Sequence, residues 1–235
     1  MTAILFDMDD TLYDQLVPFQ QAFDTLFPDT KLPLNKVFPV YRMYSDQVFP
    51  QVQAKQMTET DMYIYRVTKA LADFDLSVTP EQALAFQEAY ITALSQIQMT
   101  TDAAIALDMC HTHGIQTALI TNGPGAYQRR KIQQLQLEKW FPENRWFISG
   151  EVGYAKPDPR IFQHAASQLS LIPERTYYVG DSYTNDVIGA KKVGWHTVFI
   201  NRHNTDLTTK DILPDYEVNA HQTLQSVISN ILGHK

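Results

Sequence analysis

Three carboxylates fall within four positions, Asp7, Asp9 and Asp10, directly after the apolar run Ala3-Ile4-Leu5-Phe6. Carboxylates this close repel one another, and beside a buried strand end they stay ionised only where a cation or hydrogen-bond donors compensate. Side chains alternate along an extended segment, so Asp7 and Asp9 are expected on one side and Met8 on the other. Asp10 then faces away and reads as a structural hydrogen-bonding residue of the turn. Three later stretches carry residues suited to the same kind of site. Thr121-Asn122-Gly123 offers a hydroxyl, an amide and a flexible turn whose backbone donors can hold a phosphate. Gly153-Tyr154-Ala155-Lys156-Pro157-Asp158-Pro159 places a lysine just ahead of a helix, and Gly180-Asp181-Ser182 a further carboxylate, with Asn185 and Asp186 one turn later. Each alone is weak: a turn, a solubilising lysine, a helix cap. Their joint occurrence, in this order at successive strand ends, carries the reading.

The elements that must position these residues follow from periodicity. Ala3–Phe6 reads as a fully buried strand. From Gln15 to about Gln98 there is no glycine, and the apolar residues fall at helical spacing, which marks a helical insertion. Its helices are expected near Val17–Phe27, Lys36–Val48 with Pro39 in or near the first turn, Thr58–Phe74, and from Pro80 onward, where Thr79-Pro80-Glu81-Gln82 forms a capping box. From Thr101 helices and strands alternate. Thr101 or Asp102 caps a helix ended by Gly114, and strands are expected at Thr117–Thr121, Trp146–Ser149, Tyr177–Asp181 and Thr197–Ile200. The intervening helices span Tyr127–Leu137, Asp158–Leu169 and Asp186–Val193, and Leu224–Leu232 closes the chain. Repeated strand-helix units of this size predict an α/β fold, a parallel sheet covered on both faces.

Composition bounds the function. The 235 residues are 44% hydrophobic, ample for a real interior. A net charge of -7 argues against a partner that is a nucleic acid polymer, though a metal can reverse the local field for a small anion. The single cysteine, Cys110, forms no internal disulfide and reads as a buried structural thiol. No leader-like segment and no apolar run near ~20 residues are found, so no membrane association and a cytoplasmic location are expected.

In these residues the sequence resembles the haloacid dehalogenase superfamily of phosphohydrolases, and the resemblance covers nearly the whole chain. It implies a Rossmann-like sheet of order 5-4-1-2-3 formed by 1-14 and 99-235, with 15-98 as an all-helical cap. It also implies that Asp7 attacks phosphorus to give an aspartyl-phosphate, and that Asp9 protonates the leaving oxygen and then activates water. Thr121, Asn122 and Gly123 would bind the phosphoryl group, and Lys156 would steady its charge and Asp7. Magnesium would be held by Asp7, Asp9, Asp181 and Asp186. Because Asp9 must be protonated in one step and ionised in the next, its neighbours are expected to raise its pKa. A dehalogenase would need no proton donor at Asp9, and a non-catalytic phospho-receiver no general acid; a phosphomutase shares the core. Thr100-Thr101-Asp102 stands where many relatives have a proline-glycine pair. The implied partner is a small phosphorylated metabolite, acted on by a monomer or dimer. Its motifs look most like 5′-nucleotidase members, and Phe19, Phe23, Tyr41, Tyr44, Tyr63 and Tyr65 offer rings to stack on a base, or else pack the cap. A nucleoside 5′-monophosphate is therefore expected, with a sugar phosphate or phosphoglycolate as alternative.

Overall fold

A computed structural model describes residues 2–233, and the chain falls into two compact units, Met1–Asp14 with Gln98–Lys235, and Gln15–Ile97. In chain order the elements are β1 (Ala3–Phe6), α1 (Leu16–Leu26), α2 (Leu34–Gln53), α3 (Glu59–Ala72), α4 (Pro80–Leu94), α5 (Thr101–Thr112), β2 (Gln116–Thr121) and α6 (Gly125–Gln134). There follow β3 (Trp146–Ile148), the single turn α7 (Ser149–Val152), α8 (Pro159–Leu169), β4 (Thr176–Gly180), a π-helical turn at Tyr183–Ile188 continuing into α9 (Gly189–Lys191), β5 (His196–Ile200), β6 (Tyr216–Val218) and α10 (Leu224–Gly233).

The first unit is built on one parallel sheet of order β3-β2-β1-β4-β5-β6. The five expected strands stand in the expected order. A sixth, β6, extends the edge beyond β5, a strand too short to leave a periodic signal. In the centre, Ala3–Phe6 pairs with Gln116–Leu119 on one side and Thr176–Val179 on the other. All four residues of β1 are buried, as a central strand with covered faces requires. On one face Leu5, Ala118, Ile120 and Tyr178 pack against Ile161, Phe162 and Ala165 of α8 and against Trp195. With β1 central, the loop after Phe6 emerges at the carboxyl edge between the loops that follow β2 and β4.

Helix ends differ in one instructive place. The cap of α5 is Thr100, whose hydroxyl accepts from the Ala103 N–H at 3.3 Å, and not Thr101 or Asp102. Asp102 is used elsewhere: its carboxylate accepts from the Leu224 and Gln225 N–H groups at 2.7 and 2.9 Å and so caps α10.

The second unit is all-helical. Thr79 forms its capping box with Gln82, and α2 carries both Pro39 and Pro50 within its length. Phe19, Phe38, Tyr41, Phe86 and Tyr90 interlock as its interior, with ring centroids 5.0–6.4 Å apart. Of the six rings noted above, Phe19, Phe23 and Tyr41 are buried packing residues, whereas Tyr44, Tyr63 and Tyr65 are half-buried. Among the described residues no helix is long and apolar enough to cross a membrane.

Candidate active site

The carboxyl edge of the sheet collects the polar residues of four strand ends. Asp7 follows β1, and its N–H still donates to the Val179 carbonyl at 2.8 Å, which fixes the strand's exit. The chain then turns: Leu12 N–H reaches the Met8 carbonyl at 3.0 Å, and Asp10 takes a positive φ of 61°. That left-handed residue is buried, and its carboxylate is held by His203 Nε2 at 2.5 Å and faced by Arg202 Nε at 3.7 Å. Asp10 is thus a buried anchor for the turn, held by other partners than Asp7 and Asp9.

Lys156 is the hub of one half of the site. Its ammonium lies 2.8 Å from Asp7 Oδ1, 2.6 Å from Asp186 Oδ1 and 2.9 Å from the Tyr178 hydroxyl. That hydroxyl donates to the Ile120 carbonyl at 2.8 Å. Both the Lys156 N–H and its carbonyl bond the Asn122 side chain, at 2.9 Å each. The Asn122 amide, expected on the phosphate, is therefore the brace that sets the Lys156 backbone. Burial alone would lower the Lys156 pKa, but Asp186 and Asp7 outweigh it and keep it well above the ordinary value. On Asp7, burial is the largest influence and raises the pKa; Lys156 pulls it down, Asp186 and Asp9 push it up, and the carboxyl stands at about 6.

Asp7, Asp181 and Asp186 each offer an oxygen within 4.8 Å of the others, a set that could hold a metal ion. Gly180 makes the approach possible, since a Cβ there would run into the Asp186 carboxylate. The π-helical turn presents Asp186, whose second oxygen accepts from the Ser182 N–H at 2.8 Å. An all-oxygen donor set suits a hard divalent cation such as magnesium. The charge agrees: four carboxylates, Asp7, Asp9, Asp181 and Asp186, face two ammonium groups, Lys131 and Lys156, and leave a net deficit that one divalent ion would cancel.

Asp9 is not in that cluster. Its carboxylate is gripped by Lys131 Nζ at 2.5 and 2.7 Å, by Gln128 Nε2 at 2.9 Å and by the Tyr13 hydroxyl. Burial would raise its pKa, but the Lys131 charge, with hydrogen bonds from Lys131, Tyr13 and Gln128, lowers it to about 2. The expectation of a raised Asp9 pKa is thus reversed, because a buried cation sits where only the neighbouring carboxylate was foreseen. Gln128 also donates to Thr121 Oγ1 at 2.5 Å and the Asn122 carbonyl at 3.0 Å, joining Asp9 to the end of β2. The Gly123 N–H, expected as a phosphate donor, bonds Ser149 Oγ at 2.9 Å, and its φ of 148° is one that glycine adopts without strain.

Lys131, Gln128, Tyr13 and Tyr178 were not singled out in the sequence. One signal was available: α6 reads GAYQRRKIQQ and holds a single large aliphatic residue, Ile132, so its inward face had to be partly polar. Gln128 and Lys131 are that face.

Comparison with known proteins follows the same lines. Residues 1–194 match the family described as "Hydrolase: haloacid dehalogenase-like hydrolase". A glyceraldehyde 3-phosphate phosphatase of Methanopyrus kandleri is 26% identical over 235 residues, 97% of each chain. The pyrimidine 5′-nucleotidase YjjG of Escherichia coli is 26% identical over 230 residues, 96% of each chain. Among solved structures, YfnB of Bacillus subtilis bound to magnesium matches with a TM-score of 0.72 at 23% identity, over 98% of each chain. That last likeness is one of fold.

Proposed function

The chain belongs to the haloacid dehalogenase-like hydrolases, and from that membership we propose that it is a magnesium-dependent phosphatase of small phosphate monoesters. The observation that carries the proposal is the set of buried Asp7, Lys156 and Asp186 with half-buried Asp181 at adjoining strand ends. Bound by Asp7, Asp181 and Asp186, magnesium would supply neutralising charge for the phosphoryl oxygens. Lys156 supplies fixed positive charge on the other side of Asp7 and keeps that carboxylate oriented. An Asp7 oxygen attacks phosphorus, the bond from phosphorus to the ester oxygen breaks, and Asp9 gives that oxygen a proton. Asp9 then takes a proton from water as the water oxygen attacks phosphorus, releasing phosphate and restoring Asp7. With Lys131 beside it Asp9 is poised for the second step; a dianionic phosphate brought close raises its pKa toward the first. Thr121, Asn122 and Gly123 order the loop beside the phosphate, and the Thr121 hydroxyl is the group of the three assigned to direct contact.

The helical unit Gln15–Ile97 is inserted directly after the loop that bears Asp7 and Asp9. We assign it the role of a cap that selects the leaving group and keeps water out. The favoured substrate is a nucleoside 5′-monophosphate, supported by the motif resemblance and by the name of the Escherichia coli relative. A sugar phosphate is the second reading, favoured by the name of the Methanopyrus relative and by the burial of Phe19, Phe23 and Tyr41. Steady-state kinetics over a panel of phosphate monoesters tests both. A sugar phosphate that leads nucleotides by a hundredfold in kcat/KM, about 2.7 kcal/mol, would replace the nucleotide reading. No hydrolysis of any monoester with magnesium present would end the phosphatase reading altogether.

A further inference from the structure

We propose that Lys131, seconded by Gln128, is a positioning residue that fixes the Asp9 carboxylate as the proton carrier for the leaving group. This inference rests on the acid-base role of Asp9 proposed above. The two side chains lie three residues apart on α6 and therefore on one helix face. Lys131 Nζ meets both Asp9 oxygens, at 2.5 and 2.7 Å, while Gln128 Nε2 meets Oδ2 at 2.9 Å and the Tyr13 hydroxyl meets Oδ1. Each carboxylate oxygen thus has two donors, so the group can neither rotate about its own axis nor swing without breaking several charge-assisted contacts.

Burial makes the arrangement purposeful. The Lys131 side chain is 6% exposed and that of Asp9 15%. An ammonium removed from water is costly unless paired, and a plain structural role on a core face is met more simply by an aliphatic residue. What the pair gains is separation of two carboxylates two residues apart: Lys156 holds Asp7 and Lys131 holds Asp9. Gln128 links the second grip to Thr121 Oγ1 at 2.5 Å, so the acid-base group and the β2 loop move as one body. A general acid needs its oxygen within hydrogen-bond reach of the departing atom, and a loosely held carboxylate loses that advantage first for poor leaving groups.

The test compares Lys131→Met, Lys131→Arg, Asp9→Asn and the double variant Asp9→Asn with Lys131→Met. After circular dichroism has established that each is folded, single-turnover phosphorylation is followed with one alkyl and one aryl phosphate in the presence of magnesium. Lys131→Met is expected to slow the alkyl ester by ~10-fold or more and the aryl ester by less than ~3-fold, because a phenolate departs without a proton. On the Asp9→Asn background the same change should alter neither rate by more than ~3-fold, since the two act as one unit. Lys131→Arg should recover most of the alkyl rate. Should Lys131→Met not fold, Lys131→Gln keeps a donor and is expected to give a smaller loss with the same alkyl preference. Equal losses on both esters, or losses that multiply in the double variant, overturn the inference while the acid role of Asp9 stands. Equal losses on both esters in Asp9→Asn itself overturn that role, and this inference with it.

Discussion

At the scale of the residue, the site is a balance of carboxylates against a few basic groups. Lys156 sits between Asp7 and Asp186, Lys131 holds Asp9, and His203 and Arg202 hold Asp10. Removing the space at one of these contacts should be as damaging as removing the charge. Gly180→Ala adds a methyl where the Asp186 carboxylate lies, so it is expected to displace that carboxylate. Magnesium affinity, read by calorimetry or by half-activation, should fall by roughly tenfold or more with the far-ultraviolet spectrum unchanged. Unaltered affinity would mean that Asp186 is no ligand. Cys110 shows the opposite case, a buried group with no task. Burial raises its thiol to about 12, so at pH 8 the folded protein holds it as the unreactive thiol. A thiol reagent should label it only after denaturation; prompt labelling of the native protein would contradict its burial. Aspartates at strand ends were legible in the sequence because three of them so close demand compensation. Lys156 as the partner of Asp7 was legible through its motif; Lys131 as the partner of Asp9 was not, since a lysine in a polar helix usually signals solvent, and only the fold turns it inward.

At the scale of the element, the strand-helix alternation was readable because β1, β2, β4 and β5 each hold three or four consecutive apolar residues, AILF, ALI, YYV and VFI, bounded by polar residues or glycine. β6 was not, because its three half-buried residues Tyr216-Glu217-Val218 carry no period. The capping box at Thr79 is local chemistry and was legible; the capping of α10 by Asp102 joins residues 122 apart and had no local signature. Asp102→Ala is expected to cost roughly 1 kcal/mol of stability by orphaning two N–H groups, measured by denaturant unfolding. A change near zero would show that water replaces the cap. The end of α8 offers the reverse experiment. Ser170 is exposed and holds a left-handed φ of 52°, a position that favours glycine. Ser170→Gly should therefore stabilise the protein by about 0.5–1 kcal/mol, read as a higher Tm, after the entropic cost of glycine is allowed for. A lower Tm would mean that the serine side chain contributes something its conformation does not reveal.

At the scale of the whole molecule, a parallel sheet brings the ends of β1, β2 and β4 side by side, and with them residues as far apart in sequence as Asp7 and Asp186. This is why an open α/β sheet gathers its ligands at its carboxyl edge. The insertion of Gln15–Ile97 at the loop after β1 adds a second folded unit without interrupting the sheet. The glycine-free, helical texture of that stretch made it legible, whereas its aromatic residues were ambiguous. Phe and Tyr at helical spacing serve an interior and a stacking surface equally well, and only packing distinguishes Phe19, Phe23 and Tyr41 from Tyr44, Tyr63 and Tyr65. The central claim is that Asp7 carries the phosphoryl group during turnover. The most direct measurement is acid quench of the enzyme during turnover of a phosphate monoester with magnesium, followed by mass spectrometry of the peptide containing Asp7. A hydroxylamine-labile phosphoryl adduct on Asp7 is expected, formed at least as fast as turnover and absent in the folded Asp7→Asn variant. Undiminished turnover by Asp7→Asn, or an adduct on any other residue that is kinetically competent, would contradict that claim.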